Sequence, residues 1–349
     1  MSSTTQAHIP DIDTEFENIS GPRLRVSRVA LGTWAMGGWM WGGTDERRSI
    51  ATIWAALLDG INLIDTAPVY GFGVSEEIIG KALVGLRARA IISTKAGVEW
   101  RDGKVYRNAS RDRIMLEINE SLRRLRTDYV DIYQVHWPDP FVPIEETAEA
   151  MRELYEQGKI RAIGVSNFSV KQIERFRRVS PLHVVQAPYN LFERGIEADI
   201  LPYCRANNIA TLGYGALCRG LLSGRMRPDT AFPDDDLRRI DPKFQPPRYL
   251  QYLNAVEQLD QLAQSRFHRR VIDLAVRWML DQGIGVALWG SRHPDQVHAA
   301  LGVRGWSLDS AARAKVDLIL STTIADPIGP EFMAPPERSS LQAPKTIGT

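Results

Sequence analysis

Four residues with acid, base or charged side chains follow three short apolar runs. Asp65 ends NLID, Tyr70 follows in DTAPVYG, Lys95 ends IISTK, and His136 ends YVDIYQVH. A phenol has an ordinary pKa of about 10, and a nearby ammonium lowers that pKa toward neutral pH. We therefore predict that Lys95 makes Tyr70 a proton donor while Asp65 holds the ammonium by ion pairing. A neutral His136 is predicted to orient a substrate oxygen.

Each of these residue types also has an ordinary structural role. An aspartate at a strand end often caps a helix, a lysine often forms a structural ion pair, and a single histidine is often a satisfied core residue. Here they follow three successive strand candidates. Because the carboxyl ends of parallel barrel strands meet on one face, this coincidence favours an acid-base site.

The elements that would position these residues alternate along the chain. Short β-branched runs predict eight strands: Val29–Gly32, Asn62–Asp65, Ala90–Lys95, Tyr129–His136, Ala162–Ser166, His183–Gln186, Ala210–Tyr214 and Gly285–Trp289. Segments of helical period predict eight helices: Glu46–Asp59, Ser75–Leu86, Arg111–Arg124, Ile144–Gln157, Val170–Arg178, Ala198–Asn207, Val271–Asp281 and Pro294–Leu301. Eight such pairs predict an α/β fold, a single (β/α)8 TIM barrel.

A doubly wound dinucleotide-binding sheet is the main alternative fold. The turn after the first strand reads LGTW and has no GxGxxG, so this alternative is disfavoured. We predict a flexible leader over residues 1–17, the barrel over 18–322 and a C-terminal tail over 323–349. The loop Gly215–Pro247 after the seventh strand is long enough to predict a functional role.

Composition excludes several classes of protein. The chain of 349 residues has a formal net charge of +1 and is 44% hydrophobic, so neither nucleic acid nor a membrane is an expected partner. Two cysteines and the lack of an amino-terminal apolar segment predict a cytoplasmic protein. No metal site is predicted, because no histidines and carboxylates cluster at strand ends, which disfavours a metal-dependent isomerase or hydrolase. The sequence leaves open whether the molecule is a monomer or a homo-oligomer.

The four residues and the contexts LGTW, DTAPVYG, STK and VHWPD resemble the aldo-keto reductases, from about Arg25 to about Thr322. The resemblance implies hydride transfer between a nicotinamide and a carbonyl carbon, so that aldehydes or ketones become alcohols, or the reverse. It implies that Tyr70 is the general acid and that a small carbonyl or alcohol is the partner. An NADP(H)-binding sensor or regulatory subunit with little turnover is the alternative.

The resemblance also implies a site for NADP(H), with NAD(H) as the alternative cofactor. The expected cofactor contacts are Thr33, Trp34, Asp65, Ser166, Asn167, Gln186, Tyr214, Gly215, Leu217, Gly220, Arg225, Gly290, Ser291, Arg292 and Gln296. Among them, Tyr214 is expected to stack on the nicotinamide, and Arg292 to hold a 2′-phosphate. The family often has Glu-Asn three residues after Gln296, whereas this chain has Ala299 and Ala300, which weakens the expected adenine contacts.

Tryptophans surround the predicted site. Trp34, Trp100 and Trp137 are expected to line a substrate mouth, whereas a role for Trp39 and Trp41 in packing or in binding is left open. The stretches GTWAMGGWMWGG, YGALCRGLLSG and FPDDDLRR most resemble a bacterial branch of the family, of the glycerol dehydrogenase and glyceraldehyde reductase type. This resemblance implies short polyols and aldehydes as substrates.

Overall fold

Eight parallel strands close into a barrel in the computed structural model, which describes residues 14–338. The described strands are β1 (Phe16–Ile19), β2 (Leu24–Ser27), β3 (Val29–Gly32), β4 (Leu63–Asp65), β5 (Ile91–Ala96), β6 (Val98–Arg101), β7 (Lys104–Arg107), β8 (Val130–Val135), β9 (Ile160–Ser166), β10 (Val184–Pro188), β11 (Ala210–Tyr214) and β12 (Val286–Gly290). The barrel order is β3-β4-β5-β8-β9-β10-β11-β12, and β12 pairs with β3 to close it. The predicted TIM barrel is confirmed.

Helices cover the outside of the barrel. The described helices are α1 (Glu46–Leu58), α2 (Val74–Ala82), α3 (Arg111–Leu125), α4 (Ile144–Glu156), α5 (Val170–Arg177), α6 (Ile200–Ala206), α7 (Arg248–Phe267), α8 (Val271–Asp281), α9 (Pro294–His298) and α10 (Ser310–Thr323). The sequence prediction omitted α7 and α10, which follow no barrel strand directly and pack on each other. It also omitted the antiparallel hairpins β1–β2 and β6–β7.

Apolar side chains fill the inside of the barrel below the carboxyl ends of the strands. Leu63, Ile132 and Leu212 from three barrel strands lie in one buried cluster with Ile19 and Val26 of the β1–β2 hairpin. Strands buried on both faces explain why the sequence shows short, nearly continuous apolar runs. Because this interior is packed, polar groups at the strand ends meet above it rather than inside a pore.

The structure describes part of each predicted terminal segment. Residues 1–13 of the predicted leader and 339–349 of the predicted tail lie outside the described residues. The boundary predicted at residue 17 falls inside β1. Residues 324–338 pack back on the barrel, where Arg107 Nε donates to Pro335 O at 3.0 Å and Arg338 pairs with the buried Asp139 at 2.7 Å. Among residues 14–338, no helix is long and apolar enough to cross a membrane.

The predicted loop Gly215–Pro247 contains only short 3-10 turns, and a buried charge network holds it against the barrel. Arg219 pairs with Glu193 at 2.6 Å and with Asp241 at 2.5 Å, and Lys243 lies 2.9 Å from Glu193. All four side chains are almost inaccessible to solvent. Two cations and two anions balance inside this network, so it fixes the loop without leaving an unpaired buried charge.

Candidate active site

An ion pair lies at the carboxyl ends of β4 and β5. Lys95 Nζ is 2.7 Å from Asp65 Oδ2 and also donates to Thr66 O at 2.8 Å. The Lys95 side chain is 0% exposed and that of Asp65 is 4% exposed. Burial lowers the pKa of Lys95, and the Asp65 carboxylate and then Glu76 act against this shift. The predicted pairing of these two residues is therefore present and is deeply buried.

Tyr70 lies above this pair on the loop after β4. Its ring centroid is 5.3 Å from Lys95 Nζ, and its ring stacks on Trp34 with a centroid distance of 6.0 Å. The pKa of Tyr70 is raised well above its ordinary value, first by burial and then by the negative charge of Asp65. From the sequence, Lys95 was expected to lower this pKa. Instead, the ammonium donates to Asp65 and Thr66, and the phenol stays protonated.

His136 follows β8 and completes the predicted group of four. Its ring lies edge-on to Tyr70 with a centroid distance of 5.9 Å. Burial and then the positive charge of Lys95 lower the pKa of His136 well below its ordinary value. The imidazole is therefore neutral near pH 7, and a neutral ring can donate one hydrogen bond to a carbonyl oxygen.

The backbone beside Tyr70 depends on two glycines in close contact. A Cβ built on Gly37 would lie 2.5 Å from the carbonyl carbon and oxygen of Tyr70, and one on Gly71 would lie 2.1 Å from Gly37 O. Gly71 also has a φ of +66°. The loops after β3 and β4 can therefore approach closely enough to fix Tyr70 only because both positions lack a side chain.

We expect Gly37→Ala to lower kcat by roughly 10²-fold, because backbone atoms must move to admit the methyl group and a shift of about 1 Å costs that much in rate. Steady-state turnover and urea unfolding of the variant would be measured together. Gly195→Ala is the matched control, because a Cβ there meets no atom within 4 Å. Equal kcat values in the two variants would contradict this account of how Tyr70 is held.

Asn167, after β9, links several predicted cofactor contacts. Its Nδ2 donates to His136 O and to Ser166 Oγ, both at 3.0 Å, and its Oδ1 accepts from Tyr214 Oη at 2.9 Å. Gln186, another expected cofactor contact, donates from Nε2 to Asp65 Oδ1 at 2.9 Å. The structure thus joins the expected nicotinamide contacts to the acid-base residues through hydrogen bonds.

A cavity of about 530 Å³ opens beside Tyr70 and extends toward the loop after β12. The predicted residues that line it are Thr33, Trp34, Asp65, Tyr70, Tyr214, Gly215, Leu217, Gly220, Arg225, Gly290, Ser291, Arg292 and Gln296. Lys95 and Gln186 do not line the cavity but donate hydrogen bonds to Asp65, which does. Asn167 likewise accepts a hydrogen bond from Tyr214 of the lining. One cavity therefore brings together the two ends of the expected cofactor site.

Two predicted substrate residues do not line this cavity. Trp100, in the β6–β7 hairpin, packs on Phe72 with a centroid distance of 5.7 Å, and Arg107 lies over the ring of Trp137 at 5.2 Å. In the described part of the chain, neither tryptophan is among the residues that line the cavity. The hairpin that holds Trp100 was not predicted, which explains the different placement. Trp41 does line the cavity.

Arg292 is one of the cations that line the cavity. It donates through Nη1 to Trp41 O and through Nη2 to Gly43 O, both at 2.6 Å. These acceptors are carbonyl oxygens, so they orient the guanidinium without neutralising its charge. Gln296, another expected cofactor contact that lines the cavity, accepts from Arg292 N at 2.8 Å through Oε1. These hydrogen bonds hold the guanidinium at the part of the cavity wall that follows β12.

Other residues that line the cavity were not predicted, among them Arg219, Arg238, Arg270 and Met333. Trp41, whose role was left open, lines the same space. Arg238 pairs with Asp236 at 2.5 Å and lies over the Trp41 ring at 5.5 Å. The FPDDDLRR motif was the only sequence signal for Arg238, whereas Met333 comes from the C-terminal segment and had none. Trp41 Nε1 is buried and has no hydrogen-bond partner among the described residues.

The cavity fits an anionic dinucleotide. Tyr214 provides an aromatic ring, and Gly215 and Gly220 allow a ligand to approach the backbone closely. Several arginines, among them Arg292, provide positive charge. A barrel with these features and a buried acid-base pair at its carboxyl face defines a class of oxidoreductase that uses a nicotinamide dinucleotide.

Comparison with known proteins identifies the family. The model of the aldo/keto reductase family matches residues 28–320, and the chain belongs to this family. It is 57% identical over 330 residues to aldo-keto reductase YhdN of Bacillus subtilis, covering 94% of this chain and 100% of that protein. It is 37% identical over 305 residues to an NADH-specific methylglyoxal reductase of Escherichia coli, covering 82% and 93% of the two chains.

Solved structures of aldo-keto reductases and a glycerol dehydrogenase are similar to this chain in fold and in sequence. The glycerol dehydrogenase AKR11B4 of Gluconobacter oxydans has a TM-score of 0.84 and 52% identity, and the match covers 91% of this chain and 99% of that one. An aldo/keto reductase of Klebsiella pneumoniae in complex with NADP and acetate has a TM-score of 0.68 and 28% identity, with 87% and 94% covered. The predicted family and its carbonyl-reducing activity are confirmed, and the sensor alternative is not favoured.

Proposed function

We propose that the chain is an NADP(H)-dependent reductase of aldehydes and ketones in which Tyr70 donates the proton. The observation that carries this proposal is the fully buried Lys95–Asp65 pair, which lies directly below Tyr70 at one end of the cavity. A buried ammonium is costly unless it is paired. Here the paired ammonium also lies 5.3 Å from the ring centroid of Tyr70, which lines the cavity, and this contact supports a chemical role.

Each of the four acid-base residues has a separate role in the proposed reaction. A bound nicotinamide dinucleotide supplies the hydride that adds to the carbonyl carbon. Tyr70 gives its proton to the carbonyl oxygen, and Lys95 stabilises the phenolate that remains. Asp65 keeps the ammonium in place, and the neutral His136 orients the carbonyl oxygen toward Tyr70. In alcohol oxidation the same groups act in reverse.

Arg292 supports NADP(H) as the preferred cofactor. A 2′-phosphate is the group that distinguishes NADP(H) from NAD(H). A guanidinium whose hydrogen bonds go to carbonyl oxygens suits such a phosphate. The complex of the Klebsiella relative contains NADP, whereas the Escherichia relative is specific for NADH. We therefore infer that this chain uses NADP(H) first and that its discrimination depends on Arg292.

Arg292→Ala is expected to raise the KM for NADPH by about 10- to 100-fold, the range for losing one or two hydrogen bonds to a charged group. The KM for NADH should change little, because NADH has no 2′-phosphate. Both values come from initial rates at a saturating carbonyl concentration. Arg152→Ala is the control, since Arg152 also donates to a backbone carbonyl, that of Val179, far from the cavity. Parallel losses with both cofactors in Arg292→Ala would contradict this assignment.

For the substrate, we propose short aldehydes and the related polyols. Trp34, Trp41 and Tyr214 give the cavity an aromatic wall, which can orient a small carbonyl compound beside Tyr70. The similarity to a glycerol dehydrogenase supports the same class. A panel of glyceraldehyde, methylglyoxal, simple aldehydes and glycerol with NADPH and NADH tests both the activity and the class. No carbonyl-dependent oxidation of either cofactor would overturn the proposed function.

A further inference from the structure

The Asp65 carboxylate receives more hydrogen bonds than its pairing with Lys95 requires. While Oδ2 accepts from Lys95, Oδ1 accepts from Ser93 Oγ at 2.9 Å, from Gln186 Nε2 at 2.9 Å and from Gln134 Nε2 at 3.4 Å. Each of these three donors is at most 2% exposed. The second oxygen of the carboxylate is therefore held by three buried neutral groups.

Gln134 and Ser93 form a chain that ends on this oxygen. Gln134 Nε2 donates to Ser93 Oγ at 2.8 Å, and the Ser93 hydroxyl donates to Asp65 Oδ1. Ser93 precedes Lys95 by two residues on β5, so their side chains lie on the same face of that strand. Gln134 is opposite Lys95 in the register of β5 and β8. Linked donors polarise each other, which strengthens the last hydrogen bond of the chain.

The amide oxygen of Gln134 lowers the stability of the folded protein. This oxygen, Oε1, is buried and has no hydrogen-bond partner among residues 14–338. Next to it, a Cβ on Gly164 would lie 2.7 Å from Gln134 Cγ, so the neighbouring strand has room for this side chain only because it has a glycine. An apolar residue would leave no buried acceptor unsatisfied. The two donor hydrogens of the amide are thus the only visible reason for a polar side chain here.

We propose that Gln134, acting through Ser93, is a positioning residue that fixes the Asp65 carboxylate and stabilises its charge, so that Lys95 keeps its proton below Tyr70. This inference rests on the proposed function and adds to it a residue that lies outside the cavity lining. Gln134 itself touches neither substrate nor cofactor.

The pH dependence follows from the surroundings of Lys95. The ionisable groups around it are Asp65 on β4, Tyr70 on the next loop, His136 after β8 and Glu76 on α2. Burial lowers the pKa of Lys95, and Asp65 is the strongest influence against that shift. A lysine is charged below its pKa and loses its charge as pH rises through it. If Asp65 is held less firmly, Lys95 loses its proton at a lower pH.

The test replaces Gln134 with leucine and follows two measurements. In the reduction of a good aldehyde with NADPH, kcat/KM is expected to fall about tenfold, and the alkaline limb of its pH profile to move down by at least about 0.5 pH unit. The KM for NADPH should stay near the wild-type value, because Gln134 lies outside the cavity lining. Tyr133→Phe is the matched control, because Tyr133 is the adjacent β8 residue and also has a buried, unpartnered oxygen. Its pH profile should match that of the wild type.

A second measurement does not depend on turnover. The ¹³C resonance of Lys95 Cε, assigned by its loss in Lys95→Met, is titrated without cofactor, and its midpoint should be lower in Gln134→Leu than in the wild type. Ser93→Ala should lower the Lys95 midpoint in the same way. If Gln134→Leu does not fold, the midpoint in Ser93→Ala tests the inference. An unchanged Lys95 midpoint would overturn this inference alone. A shifted midpoint in a protein that reduces no carbonyl would support it and reject the proposed function.

Discussion

Tyr70→Phe is expected to lower kcat for carbonyl reduction by about 10²- to 10⁴-fold, the usual contribution of a positioned general acid. The variant lacks only the hydroxyl, so the ring can still stack on Trp34 and the cavity keeps its shape. The dissociation constant for NADPH should therefore stay within about twofold of the wild type. Initial rates at 340 nm and quenching of protein fluorescence by NADPH measure the two quantities.

A control separates the loss of the proton donor from a general disturbance. Tyr249→Phe also removes one phenolic oxygen, which donates to Arg227 O away from the acid-base residues. We expect its kcat to remain near the wild-type value. Undiminished turnover in Tyr70→Phe would reject Tyr70 as the acid, whatever its place in the cavity.

Lys95→Met is expected to lower kcat by a similar factor and, unlike Tyr70→Phe, to destabilise the fold by about 3–5 kcal/mol. The loss of turnover follows because no cation remains to stabilise the Tyr70 phenolate. The loss of stability follows because Asp65 is left as a buried charge without its partner. Urea unfolding and steady-state kinetics of the variant measure the two effects.

The double variant Lys95→Met with Asp65→Asn is the informative control. It removes both charges, so most of the lost stability should return. Activity should not return, because the ammonium is still missing. Recovery of turnover in the double variant would show that Lys95 acts only by neutralising Asp65, contrary to the role proposed for it.

The sequence predicted the barrel well because its main signals are local. Runs of β-branched residues mark strands that are buried on both faces, and polar residues just after them must lie on the carboxyl face. The same local signals therefore predict that Asp65, Lys95 and His136 lie together on that face. The helices α7 and α10 were missed because an alternation of strand and helix contains no place for helices that pack mainly on other helices.

The finer features of the site depend on tertiary structure and could not be read from the sequence. The pKa of Tyr70 shifts upward because of the depth of burial, which no motif encodes. Gln186 donates a hydrogen bond to Asp65, and Arg292 donates one to the carbonyl oxygen of Trp41. In each pair the two residues are more than 100 positions apart in the sequence. Met333 reaches the cavity from a segment that carries no motif.

Transfer of deuterium tests the central claim most directly. Wild-type enzyme is given an aldehyde and NADPH deuterated at the transferable C4 position, and the alcohol is analysed by mass spectrometry. The account predicts one deuterium on the former carbonyl carbon, formed at a rate that falls by about 10²- to 10⁴-fold in Tyr70→Phe. Alcohol without deuterium, or deuterated alcohol formed equally fast by both proteins, would contradict it.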